Sequence, residues 1–545
     1  MKKEVAIRVS GVTKSYKSHN KKIINALDGI SIDIYEGEVL GILGPNGAGK
    51  TTFLNVLSTL LMPDSGHVEI YGIKLIPKNY TCLKRYINLS SGHPNFPWSL
   101  TVEENLKFYG MLYGLYGSQL KQRIKELLDM FGIEKNAKQR FDELSSGSKQ
   151  KLSLAKALLN EPRIIFLDEP TIGLDPDIAL KTREIIHNVF SKTKSTVLFT
   201  SHNMQEVDSL CSRVAFIKQG RLLKLSTPDE LKKDIGKKSL EEVFIDLAHS
   251  DIKGGGVPSG GGEGILVNIE DNCMIHCAPR GLLKRFSAWF KKCLAFTYRN
   301  SIFAKRNFFA FAELVFWPVV GLISIGLLGG FLQLEERALG FVLTGAITSG
   351  ILQVVQLDVA YSLLYEVWSK SVKHTFLTPI GTTENLFGSW VIGIVRGSII
   401  FVILGVSAFL FFGFRMPPVG MMLVFLTGIF FSALILGLLV SFLILSFGQK
   451  AEITAWMFAY LFMIICGIYY PIDTLPVFFQ KVSEFIPITY FLEYLRQGFG
   501  FEPLLKHGLI KGFGLIFVYL FIGVKFMNYA LRRARIKGVI VRLSE

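Results

Sequence analysis

Residues 44–51, near the start of the chain, have the types and spacing of a phosphate-binding loop. They read GPNGAGKT and match the pattern G-x-x-x-x-G-K-[ST] at every position. A β-prone apolar stretch precedes them and a helix-prone stretch follows, which is the strand–loop–helix context that such a loop requires. Its glycines let backbone N–H groups face phosphate oxygens, while the lysine reaches the β- and γ-phosphates and the threonine hydroxyl meets Mg²⁺. The sequence therefore predicts a nucleoside triphosphate site. Its candidate residues are Gly44, Pro45, Asn46, Gly47, Ala48, Gly49, Lys50, Thr51 and Thr52.

Two acids and a histidine follow apolar runs further along the chain. Asp168 and Glu169 end a run that suits a buried parallel strand, and the next such strand, residues 195–200, leads to His202. Phosphoryl transfer needs neutralised charge and an aligned water more than covalent chemistry. Lys50 and Mg²⁺ would neutralise the charge, and Glu169 with His202 would align the water. Taken singly, Glu169 could instead cap a turn and His202 could be an ordinary loop histidine.

The length and composition of the chain indicate several domains and a membrane-associated half. A chain of 545 residues is too long for one core, so we expect two or three domains. Its 44 phenylalanines and mean hydropathy of +0.38 are ordinary for a protein with membrane spans. Residues 280–306 contain eight Lys/Arg and no Asp/Glu, just before a very apolar half. This basic block predicts contact with anionic membrane lipid and no nucleic acid.

The six cysteines are scattered and do not form a secreted disulfide framework. Cys273, His276 and Cys277 lie close together, which fits either an incomplete metal site or plain linker residues. The chain opens with polar residues rather than an apolar run. We therefore expect no cleavable signal peptide and a cytoplasmic N-terminus.

Residues 5–245 resemble the nucleotide-binding domain of ABC transporters, an α/β P-loop NTPase fold. After the phosphate loop, the sequence LSSGSKQ (residues 144–150) stands at the signature loop and GLD (residues 173–175) at the D-loop. Asp168 and Glu169 stand at the Walker B strand, and His202 at the switch histidine. The motifs follow the family's order and spacing.

This resemblance implies a role for each matching residue. Tyr16 would stack on adenine, and Asp168 would join Thr51 in holding Mg²⁺. Glu169 would be the base that polarises the attacking water, and His202 would be the switch histidine. In the family the signature loop of one subunit closes on the phosphates of another, so Ser145 and Gly147 would contact ATP. The implied cofactors are ATP and Mg²⁺, and the implied activity is ATP hydrolysis coupled to transport.

Two departures from the family pattern stand out. The signature loop has Ser146 where a glycine is usual and Ser148 where a glutamine is usual. Ser146 adds a Cβ where the backbone must approach a phosphate, which predicts a weaker contact across a dimer. Residues 87–93 contain no glutamine at the position of the family's Q-loop, where Gly92 or His93 falls instead. No residue is therefore assigned to sensing of the γ-phosphate by that loop.

A glycine-rich stretch separates the two halves. We assign residues 1–245 to the nucleotide-binding domain and residues 246–279 to a flexible linker, natural or engineered. Residues 280–307 have apolar positions at helical spacing with basic residues between them. They predict an amphipathic helix on the inner leaflet, or alternatively a helix packed on the nucleotide domain.

Residues 308–545 predict an all-α domain with six membrane spans, since about 20 apolar residues cross a bilayer as a helix. Most Lys/Arg between spans then fall on one side, which predicts a cell membrane protein with both termini cytoplasmic. This half resembles an ABC-2-type permease, with residues 366–388 similar to the coupling segment and residues 470–496 to the external segment. The predicted spans are residues 308–332, 339–363, 389–413, 421–447, 453–470 and 509–529.

Three charged residues lie inside predicted spans, where charge is costly. Glu313, Asp358 and Arg396 fall at a similar depth from the cytoplasmic side. Pairing of Arg396 with Asp358 or Glu313 would make a gate or hold helices together, whereas snorkelling to the interface is the alternative.

One nucleotide site and six spans amount to half of a working ABC transporter. The resemblance therefore implies a homodimer, or a pair with another half-transporter, that exports an unidentified substrate across the cytoplasmic membrane. The alternatives are a membrane regulator or sensor that does not transport, and an ATPase joined artificially to a separate span bundle.

Overall fold

The computed structural model describes residues 4–17, 22–193, 195–249, 281–505 and 508–544. They form two compact units. The first takes in the described residues up to Lys291, together with Ser369–Gly381 and the C-terminal stretch from Ala534. The second consists of Lys292–Trp368 and Thr382–Arg533. The glycine-rich stretch, with Cys273, His276 and Cys277, lies outside the described residues.

Two sheets build the first unit. Its described strands are β1 (Val5–Lys17), β2 (Ile23–Tyr35), β3 (Val39–Leu43), β4 (Ser65–Ile70), β5 (Ile73–Lys74), β6 (Ile87–Ser91), β7 (Ile164–Asp168), β8 (Thr196–Thr200), β9 (Arg213–Lys218) and β10 (Arg221–Ser226). One sheet has the order β10-β9-β3-β8-β7-β6, in which only β10 is antiparallel to its neighbour. The other, β2-β1-β4-β5, is antiparallel throughout. The predicted α/β fold and the predicted parallel strands β7 and β8 are confirmed.

The described helices are α1 (Lys50–Leu57), α2 (Tyr80–Leu83), α3 (Val102–Tyr113), α4 (Gly117–Phe131), α5 (Ser146–Ala157), α6 (Pro176–Thr193), α7 (Met204–Leu210), α8 (Pro228–Ile235), α9 (Leu240–His249), α10 (Leu282–Arg306), α11 (Phe308–Phe331), α12 (Glu336–Trp368), α13 (Val372–Leu377), α14 (Thr383–Phe412), α15 (Val419–Phe447), α16 (Thr454–Ile465), α17 (Val477–Ser483), α18 (Pro487–Gln497), α19 (Gly508–Ile536) and α20 (Val539–Arg542). Short 3₁₀ turns occupy Glu134–Asn136, Phe141–Glu143, Gln449–Ala451 and Ile472–Thr474.

Local sequence explains where these helices begin and end. α3 and α4 are separate helices because Gly114 adopts a φ of 94°, which ends α3. α3 begins at a capping box, in which the Thr101 side chain accepts from Glu104 N and Glu104 accepts from Thr101 N. α9 extends past the predicted domain boundary at residue 245, and Phe244 packs on the Phe216 ring at 5.6 Å between centroids.

Helix α10 fills the stretch predicted to be amphipathic. At its start the side chains of Leu282 and Leu283 are 85% and 86% exposed, and Phe286 is 63% exposed. Further along, the Lys291 ammonium lies 5.1 Å from the ring centroid of Tyr116 within the first unit. An exposed apolar face is what a helix at the inner leaflet presents, and its place in the membrane stays a prediction.

Five described helices of the second unit are long and apolar enough to cross a membrane: α11, α12, α14, α15 and α19. They cover five of the six predicted spans, and α12 packs against α11, α14 and α15. The remaining predicted span, residues 453–470, contains the 12-residue helix α16. At 1.5 Å per residue, α16 is about 18 Å long, short of the roughly 30 Å of a hydrocarbon core. This segment has the hydropathy of a span but not the helix length, because the chain turns after Ile465 towards a 3₁₀ turn at Ile472–Thr474.

A buried polar network connects α10, α12 and α14 in the second unit. Arg299 is 3% exposed, and its guanidinium donates to Glu366 Oε1 and, at 3.3 Å, to Ser362 O. The neighbouring Asn300 side chain donates to Ser389 Oγ at 2.6 Å. A buried charge is costly unless it is paired and hydrogen-bonded, so this network fixes how the three helices pack.

The pairing predicted for Arg396 is also present. Its guanidinium donates to Asp358 Oδ1 at 2.5 Å, which connects α14 to α12. Asp358 is buried, so it does not snorkel to a surface. The side chain of Glu313 lies outside the described residues.

We predict that the variant E366Q destabilises the protein by about 3–5 kcal/mol, because Arg299 then keeps a buried charge without its carboxylate. Thermal unfolding in detergent measures the change. The matched control is E335Q, whose carboxylate is exposed, and it should unfold like the parent. The double variant R299M/E366M should recover much of the loss, since two apolar side chains replace a buried pair at little cost. An E366Q protein as stable as E335Q would contradict this role.

Candidate functional site

The phosphate loop lies between β3 and α1 in the conformation that its sequence predicts. Gly44, Gly47 and Gly49 have φ values of 152°, 78° and 107°, in the region that favours glycine. A Cβ at Gly44 would lie 2.0 Å from Ile217 O, and one at Gly49 would lie 2.2 Å from Ala26 O. Both glycines are therefore required by close backbone contact as well as by backbone dihedral angle.

Lys50 folds back over this loop. Its ammonium donates to Gly44 O at 2.6 Å and to Pro45 O at 3.3 Å. Burial lowers the pKa of Lys50 below its ordinary value, while the charges of Glu169 and Asp168 act in the opposite direction. An ammonium that is buried beside two carboxylates at a phosphate loop is well placed to receive an anionic phosphate.

Asp168 ends β7 beside the phosphate loop. Thr200 Oγ1 donates to Asp168 Oδ1 at 2.8 Å, and Thr51 Oγ1 lies 3.4 Å from the same oxygen. Burial raises the pKa of Asp168, and the Thr200 hydroxyl opposes that shift. A carboxylate and a hydroxyl are hard oxygen ligands, and Mg²⁺ takes few protein ligands when phosphates and waters complete its shell. Thr51 and Asp168 therefore fit a Mg²⁺ site.

Glu169 and His202 are in contact, as their assigned roles require. His202 Nε2 and Glu169 Oε1 are 2.7 Å apart, and both side chains reach solvent. Glu169 has a φ of 51°, an uncommon value for a residue other than glycine. Its backbone is held there by two bonds, in which Glu169 N donates to Thr200 O at 3.1 Å and to Thr200 Oγ1 at 3.0 Å. The backbone thus directs the carboxylate away from β7 towards His202.

Sequence reasoning missed Thr200. This buried residue bonds to the carboxylate of Asp168 and to the backbone of Glu169, so it orients both acids. Its register could have indicated the role, because Thr200 ends the strand next to β7 and pairs with Asp168.

The signature loop begins α5. Ser145 is exposed and its side chain accepts from Ser148 N at 3.3 Å, which makes it the N-cap. Gly147 is buried, and a Cβ there would lie 3.0 Å from Ile178 Cγ2. Among the described residues, no hydrogen bond joins Ser145 or Gly147 to residues 44–51.

Tyr16 lies near the end of β1, and its ring is half-buried. The Lys14 ammonium is 6.0 Å from the ring centroid. The family assignment gives this ring, on the antiparallel sheet, the role of stacking on adenine. Gly538 of the C-terminal stretch lies against the same ring, since a Cβ at Gly538 would be 3.3 Å from Tyr16 Cε1.

The expected Q-loop position is occupied by close-packed backbone. A Cβ at Gly92 would lie 2.5 Å from Glu169 O and 2.7 Å from Ile172 Cγ2. No side chain fits there without moving the segment that carries Glu169. In this backbone conformation the position of Gly92 has no room for a glutamine side chain.

The fold and site together define a P-loop ATPase joined to a helical membrane unit. An ABC transporter family model matches residues 27–172, and an ABC-2 type transporter family model matches residues 291–499. The chain belongs to the ABC transporter family, with an ATP-binding domain followed by an ABC-2 type membrane domain. Family membership implies that the first domain binds and hydrolyses ATP. The membrane domain and the five apolar helices indicate a multi-pass membrane protein.

Similar curated proteins include two bacterial ATP-binding proteins named for drug resistance. The linearmycin resistance ATP-binding protein LnrL of Bacillus subtilis is 34% identical over 42% of this chain and 72% of its own length. The daunorubicin resistance ATP-binding protein DrrA3 of Streptomyces coeruleorubidus is 36% identical over 44% of this chain and 74% of its length. A solved dimeric ATP-binding cassette bound to ADP and Pi is 30% identical and covers 41% of this chain and 98% of its own, with a TM-score of 0.38.

We predict that E169Q abolishes most ATP hydrolysis but keeps ATP binding. Removal of a general base typically costs 10²–10⁴-fold, so kcat should fall by at least about 100-fold. The dissociation constant for ATP should change by less than about threefold, because the contacts of residues 44–51 are untouched. Steady-state phosphate release and equilibrium nucleotide binding measure the two quantities.

The matched control for this variant is D177N, which removes an exposed acid at the start of α6. It should hydrolyse ATP like the parent. Retention of the parent's kcat by E169Q would mean that another group activates the water.

Proposed function

We propose that this chain is one half of an ATP-driven exporter in the cytoplasmic membrane. The observation that carries the proposal is the convergence of Lys50, Thr51, Asp168, Glu169 and His202 at one sheet edge, in a chain that continues into an ABC-2 type membrane domain. Those residues supply charge neutralisation and water activation, which phosphoryl transfer needs.

Each residue of the site has a part in that reaction. The backbone of residues 44–51 and the Lys50 ammonium would bind the β- and γ-phosphates, and Tyr16 would stack on adenine. Glu169 accepts a proton from the attacking water, while His202 orients that carboxylate. Mg²⁺ held by Thr51 and Asp168 would neutralise phosphate charge.

A second subunit completes the site in this proposal. Ser145 lies exposed at the start of α5, where its loop is open to another chain. In the family, that loop closes on ATP bound by a partner, so the working form is a homodimer or a pair with another half-transporter. ATP would bind between the two ATPase domains, and its hydrolysis would change the relative stability of two arrangements of the membrane helices.

The outward direction rests on the relatives. Two of them are named for drug resistance, and one from Paraburkholderia xenovorans is a Nod factor export ATP-binding protein. An apolar or amphipathic cargo accords with those names. The competing function, a membrane regulator that does not transport, is favoured by Ser146 and by the missing glutamine.

Inside-out membrane vesicles test the proposal directly. Relatives named for resistance to linearmycin, daunorubicin and doxorubicin supply the probes. We predict that the vesicles accumulate at least one of these compounds when ATP is added, several-fold more than vesicles containing E169Q. The D177N variant is again the matched control and should transport like the parent. ATP hydrolysis without ATP-dependent accumulation of any of the three compounds would favour the regulator.

A further inference from the structure

The segment Ser369–Gly381, here called the coupling segment, packs in the same compact unit as the ATPase sheet. Its short helix α13 is almost wholly buried. Lys84 Nζ donates to Phe376 O, and the His374 ring stacks on Phe96 with centroids 4.7 Å apart and planes at 12°. These contacts fix both the position and the rotation of α13.

One side chain of α13, Lys373, points to the edge of the sheet that carries the acids. Its ammonium donates to Ser91 Oγ at 2.7 Å. Ser91 ends β6 and is the register partner of Asp168 on β7, so the two backbones are about 4.8 Å apart. Lys373 thus brings a positive charge to the edge where Asp168 and Glu169 end their strand.

The charge of Lys373 reaches the groups around it. Lys156 is buried on α5, and burial lowers its pKa to about 7, with the charge of Lys373 adding to that shift. The hydrogen bond to Ser91 places the same positive charge beside Asp168, at the edge where the strand of the two acids ends.

The backbone of Lys373 is held from another direction. Lys373 N donates to Ser544 Oγ at 2.9 Å, and Ser544 is buried. This bond satisfies an N–H group in the first turn of α13, which the helix itself leaves without an acceptor. The C-terminal stretch thus helps to set the direction in which Lys373 extends.

The place that Lys373 reaches adjoins Gly92, where the family pattern expects a glutamine. A side chain at Gly92 would collide with Glu169 O, and the hydroxyl of the preceding residue, Ser91, accepts from Lys373. A cation carried by the coupling segment occupies that neighbourhood instead.

We propose that Lys373 is a positioning residue that senses the γ-phosphate of bound ATP in place of the missing glutamine. The inference rests on the proposed function of the same site. The Lys373 ammonium attracts the negatively charged terminal phosphate from its place at the sheet edge formed by Ser91 and Asp168. Because Lys373 belongs to α13, loss of that phosphate weakens the interaction between the ATPase site and the coupling segment.

The test compares ATP with ADP, because a residue that senses the γ-phosphate contributes to ATP affinity alone. Both dissociation constants are measured on the full chain carrying E169Q, so that ATP is not hydrolysed. Adding K373M should reduce the preference for ATP over ADP by about tenfold. Adding K373R keeps the charge and should restore the preference to within about threefold.

The matched control is K370M, which removes an exposed lysine from the same segment. It should leave the preference for ATP unchanged. If K373M does not fold, K373Q removes the charge and keeps a polar group for Ser91. It should reduce the preference for ATP over ADP by the same factor. Equal losses of ATP and ADP affinity, or no loss, would overturn the sensing role and leave the proposed function standing. An E169Q protein that binds neither nucleotide would overturn both.

Discussion

The register of the parallel sheet is the constraint on which the site depends. β6, β7 and β8 pair in parallel so that Ser91, Asp168 and Thr200 stand side by side at their carboxyl ends. A shift by one residue would turn each of these side chains to the other face of the sheet. Burial on both faces makes such a shift costly, since every residue of β6 and β8 is buried. The apolar sequence of the strands therefore fixes the position of the polar groups that follow them.

Much of this site could be predicted because its residues are close to one another in sequence. The phosphate loop is one continuous segment, and Asp168 and Glu169 are adjacent, so composition and spacing were sufficient. The resemblance assigned His202 its role, and its place after the next apolar strand was readable from the sequence, but its contact with Glu169 came from the structure. Thr200 needed the register, and Lys373 lies 205 residues after Asp168, a separation that no local pattern bridges.

The membrane half was less predictable, for a physical reason. Hydropathy indicates whether a segment is compatible with lipid but not where its helix ends. Residues 453–470 are apolar enough for a span, but the helix within them, α16, has only 12 residues. Some of the polar contacts between helices could be predicted from the sequence. The pair of Arg396 and Asp358 was expected from the cost of charge in a span, whereas the network of Arg299 and Glu366 involves a helix whose sequence indicated a surface position.

The left-handed backbone at Glu169 restricts which sequences can occupy the catalytic position. Asparagine and aspartate visit that region far more readily than valine or isoleucine, whose branched Cβ crowds the backbone there. Aspartate at position 169 would keep this backbone conformation but shorten the carboxylate by one methylene, and asparagine would replace the carboxylate by an amide. Either residue would preserve the fold while it removed the water-activating group from its place beside His202.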